Sequence, residues 1–384
     1  MSEFILKTIS NSDLEKEISD IGYDKNYIFK AREKFLHLNF KIFNITSAQG
    51  NIIKQLALSV GADCATHRDV ITGKIEKSDC ILGGNISQLK IVAQKLQLQP
   101  FGLKELGRLI EDKINNQKNS VNKTQIVGIL NLTKNSFSDG GKYYEFDDAV
   151  THLNELINEG ADIIDIGAES TKPYSEPVSN DDQLKKITPI LEYINKNNIK
   201  TPISIDTRSS IVAKECIKLG ASIINDVSGL EYDENIADIT SQSNVKIIIQ
   251  HSKGDPQNMQ ENPQYENIMD EIFFALKNKT DYALSKGIKP ENIIIDAGIG
   301  FGKTKQHNFE ILRRWKELKT LGYPVMLGLS RKSLLDMPNA SNEEKDLYSL
   351  ALDSILINDG IDYLRVHNVK IHKNLMNILY GTGS

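Results

Sequence analysis

Residues 202–226 read PISIDTRSSIVAKECIKLGASIIND. Two short runs rich in β-branched residues, PISID and SIIND, flank a helical stretch that contains Cys216 and closes on Gly220. A short apolar run bounded by polar or turn residues reads as a buried strand. Strand, helix and strand in that order make a parallel β/α unit. Both runs end in polar groups: Asp206 in the first, Asn225 and Asp226 in the second.

The same grammar extends in both directions. Upstream lie TQIVGIL from Thr124 and IIDI at 163–166; downstream lie KIIIQ at 246–250, NIIID at 292–296, PVMLG at 324–328 and DYLRV at 362–366. Helical stretches separate them, among them DDAVTHLNELINEG at 147–160 and NFEILRRWKELKTLG at 308–322. Eight β/α units in about 260 residues have the count and length of a (β/α)8 TIM barrel. An open doubly wound sheet is the alternative; it usually has fewer strands and a glycine-rich first turn, and no GxGxxG follows the first run.

Upstream of the polar stretch NNQKNSVNK (115–123), read as a linker, a smaller pattern is visible. NFKIFNIT (39–46) and DCILGG (79–84) read as strands; SAQGNIIKQLALSVG (47–61), with Ser47 as N-cap, and ISQLKIVAQKL (86–96) read as helices. The expected fold class is α/β, with a small α/β domain at 1–117 preceding a (β/α)8 barrel at 118–384. His67, Arg68 and Asp69 read as surface charges on a loop.

Composition narrows the function. Of 384 residues, 40% are hydrophobic and 25% charged, enough for a proper core. A net charge of −5 and a pI near 5.9 argue against nucleic acid or an anionic membrane as the main partner. Cys64, Cys80 and Cys216 are too scattered for a disulfide framework and read as free thiols in a reducing compartment. The N-terminus lacks signal-peptide features, and no apolar run approaches the ~20 residues of a membrane span. The expectation is a cytoplasmic protein.

A barrel gathers its chemistry at the C-terminal ends of its strands. Here those ends hold Asn131; GAESTKP (167–173); Asp206, Thr207 and Arg208; Asn225 and Asp226; Gln250 and His251; Asp296 followed by AGIGFGK; LSRKS (329–333); and Arg365 with His367. Any one of these acids or amides reads equally well as a helix N-cap. Eight polar ends aimed into one mouth ask for another reason. Asp206, Asp296, Asn225 and Lys332 suit a flat heterocycle with a donor edge and an acceptor carbonyl, such as a guanine-like 2-amino-4-oxo edge. Arg365 and His367, two apart on a strand, face the same side. With Asn131 opposite, they suit a diphosphate, held together with a largely hydrated Mg²⁺. The loop NLTKNSFSDGG (131–141) reads as a mobile lid, or as an ordinary βα loop with Ser136 or Asp139 as a helix cap.

The ordered set GILNLTKNSFSDGG, DIGAESTKP, SIDTR, INDVSG, QHSKGDPQNMQENPQY, DAGIGFGK, GLSRKS and LRVHNV resembles dihydropteroate synthase, a folate-pathway family of pterin-binding TIM barrels. The resemblance covers roughly 124–380. It implies condensation of 6-hydroxymethyl-7,8-dihydropterin diphosphate with 4-aminobenzoate to dihydropteroate and pyrophosphate, along an SN1-like path. It places Asp206, Asn225, Asp296 and Lys332 on the pterin, and Asn131 on Mg²⁺ and the diphosphate with Arg365 and His367. It places Phe137, Thr171, Lys172, Pro173, Phe301 and Ser333 around aminobenzoate. Asp139, Lys332, Arg365 and His367 become the catalytic set, and a homodimer through the barrel is implied. The chain departs from the family's pattern at Lys134-Asn135 (Pro-Asp), Ala168 (Gly), Lys172 (Arg), Tyr174 (Gly), Gln250 (Met), Ala297 (Pro) and Asn368 (Asp). Residues before the linker lie outside the resemblance and are expected to add no catalytic group. Two rival readings are a corrinoid-type pterin-dependent methyltransferase and a pterin-binding protein without catalysis.

Overall fold

The computed structural model describes residues 5–116, 123–132, 146–169, 176–254 and 262–381. The chain divides into two compact units, Met1–Ser120 and Val121–Ser384.

The first unit is built on a three-stranded antiparallel sheet. Strands β1 (His37–Thr46), β2 (Asp63–Thr66) and β3 (Lys77–Asn85) lie in the order β1-β3-β2. One face packs on helices Ser47–Leu58, Ile86–Leu96 and Leu103–Asn116 around Ile53, Leu82, Leu89, Leu96, Leu103 and Ile110. β1 and β3 each run directly into a helix through a capping box. Thr46 Oγ1 accepts from Gln49 N (3.3 Å) while Gln49 Oε1 accepts from Thr46 N (2.8 Å); Asn85 and Gln88 repeat the exchange. The N-cap is therefore Thr46 and not the expected Ser47. Among the elements that went unread in the sequence are the helices Leu14–Asp20 and Ile28–Arg32, β2 and the helix Leu103–Asn116. β2 is four residues with one buried side chain, Cys64, too short to show alternation. The helix Leu103–Asn116 takes the first two residues of the expected linker, because Leu103, Ile110 and Ile114 keep it on the core.

The second unit is a closed barrel of eight parallel strands: β4 (Gln125–Asn131), β5 (Ile163–Gly167), β6 (Ile203–Asp206), β7 (Ile223–Asp226), β8 (Lys246–Gln250), β9 (Ile293–Asp296), β10 (Val325–Leu327) and β11 (Tyr363–Val366). Consecutive strands pair in register, Asp206 beside Asn225 and Gln250 beside Asp296, and β11 closes on β4. Outward residues such as Ile164, Ile166, Ile205, Ile224 and Ile249 pack with the surrounding helices. Inside, Val127, Ile163, Ile223, Ile248, Ile294, Met326 and Tyr363 form a separate apolar plug.

That plug decides where the polar groups go. Side chains alternate faces with period two. Two residues beyond Ile163, Ile223, Ile248, Ile294 and Tyr363 stand Asp165, Asn225, Gln250, Asp296 and Arg365. Each therefore points into the barrel, one layer above the plug and toward the C-terminal mouth. The expected helix at 308–322 is an α-helix at Lys305–Arg314 continued by a 3₁₀ segment, Trp315–Leu321, that stops at Gly322 with φ 92°. Among the described residues no helix is long and apolar enough to cross a membrane.

Candidate active site

Arg365 holds the centre of the mouth. Its Nε donates to Asp165 Oδ2 at 2.6 Å and its Nη2 to Asp206 Oδ2 at 2.8 Å. Asp165 Oδ2 also accepts from Asn225 Nδ2 at 3.0 Å. Three strands are thereby tied to β11 by one guanidinium and one carboxylate. Asp165 is fully buried, and Asp206 and Asn225 nearly so. Burial pushes Asp206 up to about 7, with Arg365 pulling the other way and Asp165 adding to the rise. Two atoms of this cluster are buried with no hydrogen-bond partner: Asp165 Oδ1 and Asn225 Oδ1. Buried acceptors without donors are rare and need a reason.

A second group forms around the loop after β9. Asp296 Oδ1 accepts from Gly298 N at 2.7 Å, and burial raises the carboxyl's pKa against the pull of Lys332. Lys332 Nζ donates to Ile299 O at 2.5 Å and lies 4.7 Å from the centre of the Phe301 ring. Burial lowers Lys332 to about 8. Phe301 packs on Val227, at the top of the next-but-one strand. Behind it, Lys303 donates to Phe301 O (2.9 Å) and His251 O (3.3 Å) and meets His251 Nδ1 (2.9 Å). Burial and this lysine hold His251 down to about 2, so its ring is neutral and Nδ1 accepts. Gly298 permits the arrangement: at φ 67°, a Cβ there would stand 1.8 Å from His251 O.

His367 continues β11's inward face beyond Arg365. Ser330 Oγ accepts from His367 N at 3.2 Å and meets His367 Nδ1 at 2.8 Å. The hydroxyl can donate to Nδ1 or accept from it, and in either case it fixes the orientation of the ring. Asn131 ends β4 beside Gly167 of β5. Among the described residues no hydrogen bond takes up its side-chain oxygen, which lies 3.5 Å from where a Cβ on Gly167 would be. Ser333 follows Lys332 and is exposed. Phe137, Asp139, Thr171, Lys172 and Pro173 lie outside the described residues, as does the loop proposed as a lid.

The structure thus joins Asp206, Asn225 and Arg365 in one network, and Asp296, Lys332 and Phe301 around one loop. Asp226, the acid at the end of β7 beside Asn225, is not part of the mouth. Its carboxylate accepts from Ser228 N, Ser228 Oγ and Leu230 N, so it caps its own loop. Gln250, standing where the family has Met, donates Nε2 to Val227 O at 3.2 Å. Cys216 is buried in the helix Ser210–Lys218, and burial pushes its thiol up to about 12, which rules it out as a nucleophile.

Three groups had no role assigned from the sequence. Asp165 was legible as a lone acid inside the apolar run IIDI. Ser330 had no signal of its own. Glu169, bound by the Arg208 guanidinium at 2.9 and 3.2 Å and by Val178 N at 3.3 Å, ties β5's loop to β6's.

A family model described as pterin binding enzyme matches residues 127–367. A dihydropteroate synthase from Clostridium beijerinckii is 41% identical over 249 residues, 64% of this chain and 90% of that protein. A probable bifunctional folylpolyglutamate synthase/dihydropteroate synthase from Haloferax volcanii is 30% identical over 352 residues, covering 86% of this chain and 41% of that protein. That share exceeds what the barrel unit alone supplies, so the match runs into the N-terminal unit. Among solved structures, the Xanthomonas albilineans dihydropteroate synthase with 4-aminobenzoic acid superposes with a TM-score of 0.63 at 30% identity, over 68% of this chain and 94% of that one. The chain belongs to the pterin binding enzymes and, within them, to the dihydropteroate synthases, transferases of folate synthesis.

Proposed function

We propose that this mouth holds a 6-hydroxymethyl-dihydropterin diphosphate on Asp206, Asn225, Asp296 and Lys332, and joins its methylene carbon to the amine of 4-aminobenzoate. The observation that carries this reading is the surplus of buried acceptors around Arg365, with Asn225 Oδ1 and Asp165 Oδ1 unpartnered. A pterin's amino group and ring N–H groups are the complementary donors, and Lys332 is a donor for its carbonyl or ring nitrogen. The methylene C–O bond breaks with its electrons leaving on pyrophosphate, a C–N bond forms, and the amine then loses a proton. An SN1-like path suits a methylene carbon attached to an electron-rich ring. Catalysis then rests on positioned charge for the leaving diphosphate, supplied by Arg365, His367 and Lys332, and not on a covalent nucleophile. Phe301 and Ser333 would line the aminobenzoate side, with Phe137, Thr171, Lys172 and Pro173 completing it, and Asp139 would face the positive charge that develops as pyrophosphate leaves.

The residues fit Mg²⁺ only as a shared ion. Among the described residues no group of three or more His, Cys, Asp or Glu could hold a metal, so the protein's own ligand would be Asn131 Oδ1, with diphosphate and water supplying the rest. Bound there, Mg²⁺ would neutralise charge on the diphosphate. A homodimer through the barrel finds support in Leu347 and Ile355, eight apart on helix Asn342–Asn358 and both more than half exposed. Three buried free thiols accord with a cytoplasmic setting.

The test is turnover by purified full-length chain with the pterin diphosphate, 4-aminobenzoate and Mg²⁺, read as pyrophosphate release. A corrinoid-type methyltransferase or a non-catalytic pterin-binding protein would release none.

A further inference from the structure

We propose that Asp165 is a positioning residue that sets the hydrogen-bond polarity of the pterin pocket, acting through Asn225 and Arg365; this rests on the pterin reading above. Asp165 lies mid-strand on β5, fully buried, one layer below the strand ends. A single oxygen, Oδ2, accepts from both Arg365 Nε (2.6 Å) and Asn225 Nδ2 (3.0 Å).

Two consequences follow from that geometry. An amide can present either its NH₂ or its oxygen to a neighbour, and the choice depends on its other contacts. Here Asp165, an acceptor only, claims the NH₂ of Asn225. The oxygen is left over, buried and unpartnered. Asn225 is thus committed as an acceptor, and a ligand edge lying on it must donate. The second consequence concerns Arg365. Asp165 takes the Nε–H and Asp206 one Nη2–H. With five N–H donors in a rigid fork, three are left untaken among the described residues. The guanidinium is held by its back, with a fixed face for an anion or a ring.

An acid in this place costs desolvation that a leucine or isoleucine would avoid. Its neighbours on β5, Ile163, Ile164 and Ile166, show that the strand itself prefers apolar side chains. The carboxylate is therefore explained by what it orients.

The experiment is Asp165→Asn in the full chain, an isosteric change that removes the charge and brings an NH₂ toward two donors. Relief comes if Asn225 flips, presenting NH₂ to the ligand. The expected result is a fall of about tenfold or more in calorimetric affinity for a phosphate-free 6-substituted pterin, at a KM for aminobenzoate changed by no more than about twofold. The double variant Asp165→Asn/Asn225→Asp restores a donor–acceptor pair and again presents an acceptor to the ligand, so it should regain part of that affinity. A merely structural role predicts no such rescue. Unchanged pterin affinity in Asp165→Asn, or loss of affinity without rescue, would overturn the proposal. If Asp165→Asn fails to fold, the double variant decides alone: pterin binding by it supports the proposal, and failure to fold or bind overturns it. Wild-type chain that binds no pterin would instead overturn the function proposed for the mouth.

Discussion

Both units of this chain end strands in polar residues, and they use them differently. In the N-terminal unit β1 ends in Thr46 and β3 in Asn85, and each is consumed on the spot by a capping box with the glutamine three residues on. In the barrel, Asp206, Asn225 and Asp296 end their strands but cap no helix; the following helices have their own caps, such as Ser209 and Thr304. Asp206 looks across the barrel to Arg365 and Asn225 to Asp165, while Asp296 keeps one bond of the cap kind, from Gly298 N, and also feels the charge of Lys332 from beyond another strand. The difference teaches how to separate a cap from a site when the residue types are the same. A cap finds its donors within about four residues along the chain. A site residue finds them far away in sequence, as Arg365 is from Asp165 and Asp206, or is left waiting for a ligand. Asp226 and Asn225, adjacent on one strand, fall on opposite sides of that line.

The largest effect should come from removing the barrel's long-range partner. Arg365→Ala leaves Asp165 and Asp206 as buried carboxylates without a cation, a loss of about 3–5 kcal/mol in urea unfolding at pH 8. The sign with pH follows from Asp206, whose folded pKa of about 7 lies above its ordinary value of 3.8. Its contribution to stability is full below the ordinary value and is lost as pH rises through about 7. The penalty of Arg365→Ala should therefore shrink toward pH 5; an equal penalty at both pH values would break the comparison, by showing that Arg365 acts in packing alone.

Asp296→Asn comes next. It sets a donor against a donor in a desolvated site, so pterin affinity should fall by about 1–3 kcal/mol. Calorimetry giving wild-type affinity would move Asp296 to the side of the caps.

The pH profile sharpens the same point. The free-enzyme profile, kcat/KM, should rise through about 7 as Asp206 ionises and fall above about 8 as Lys332 loses its proton. Lys332→Arg should remove the upper limb; a fall that survives in that variant would assign the limb to another group.

The smallest effects belong to the N-terminal unit. Asn85→Ala should cost about 1 kcal/mol of helix stability and leave turnover unchanged. A chain starting near Asn119, if folded, should keep its turnover; a folded but inactive truncation would make the N-terminal unit part of the site or of an assembly the site needs. The Haloferax relative, whose match reaches into this unit, makes that truncation worth measuring.

The barrel was legible because its signal is repeated. Eight apolar runs at helical intervals leave few topologies, and the polar strand ends were read from the residues themselves. Asp165 was written as part of a strand and passed over, since a strand end draws attention and an interior acid does not. β2 and the helix Leu103–Asn116 were missed for different reasons: the first has one buried residue, and the second is polar enough that its core-facing residues were lost beside the linker.

By itself the sequence determined the order and number of the strands, the period of two that puts Asp165, Asn225, Asp296 and Arg365 on the inner face, and the motifs that name the family. These are local properties, set by side-chain alternation and by chemistry spaced along the chain. Only the tertiary structure decided that one oxygen of Asp165 serves both Asn225 and Arg365, that Ser330 orients His367, and that Asp226 serves its own loop. Those choices are hydrogen bonds between groups as many as 200 residues apart. Barrel closure brings them within 3 Å, and where these groups are buried each donor takes the acceptor that geometry offers.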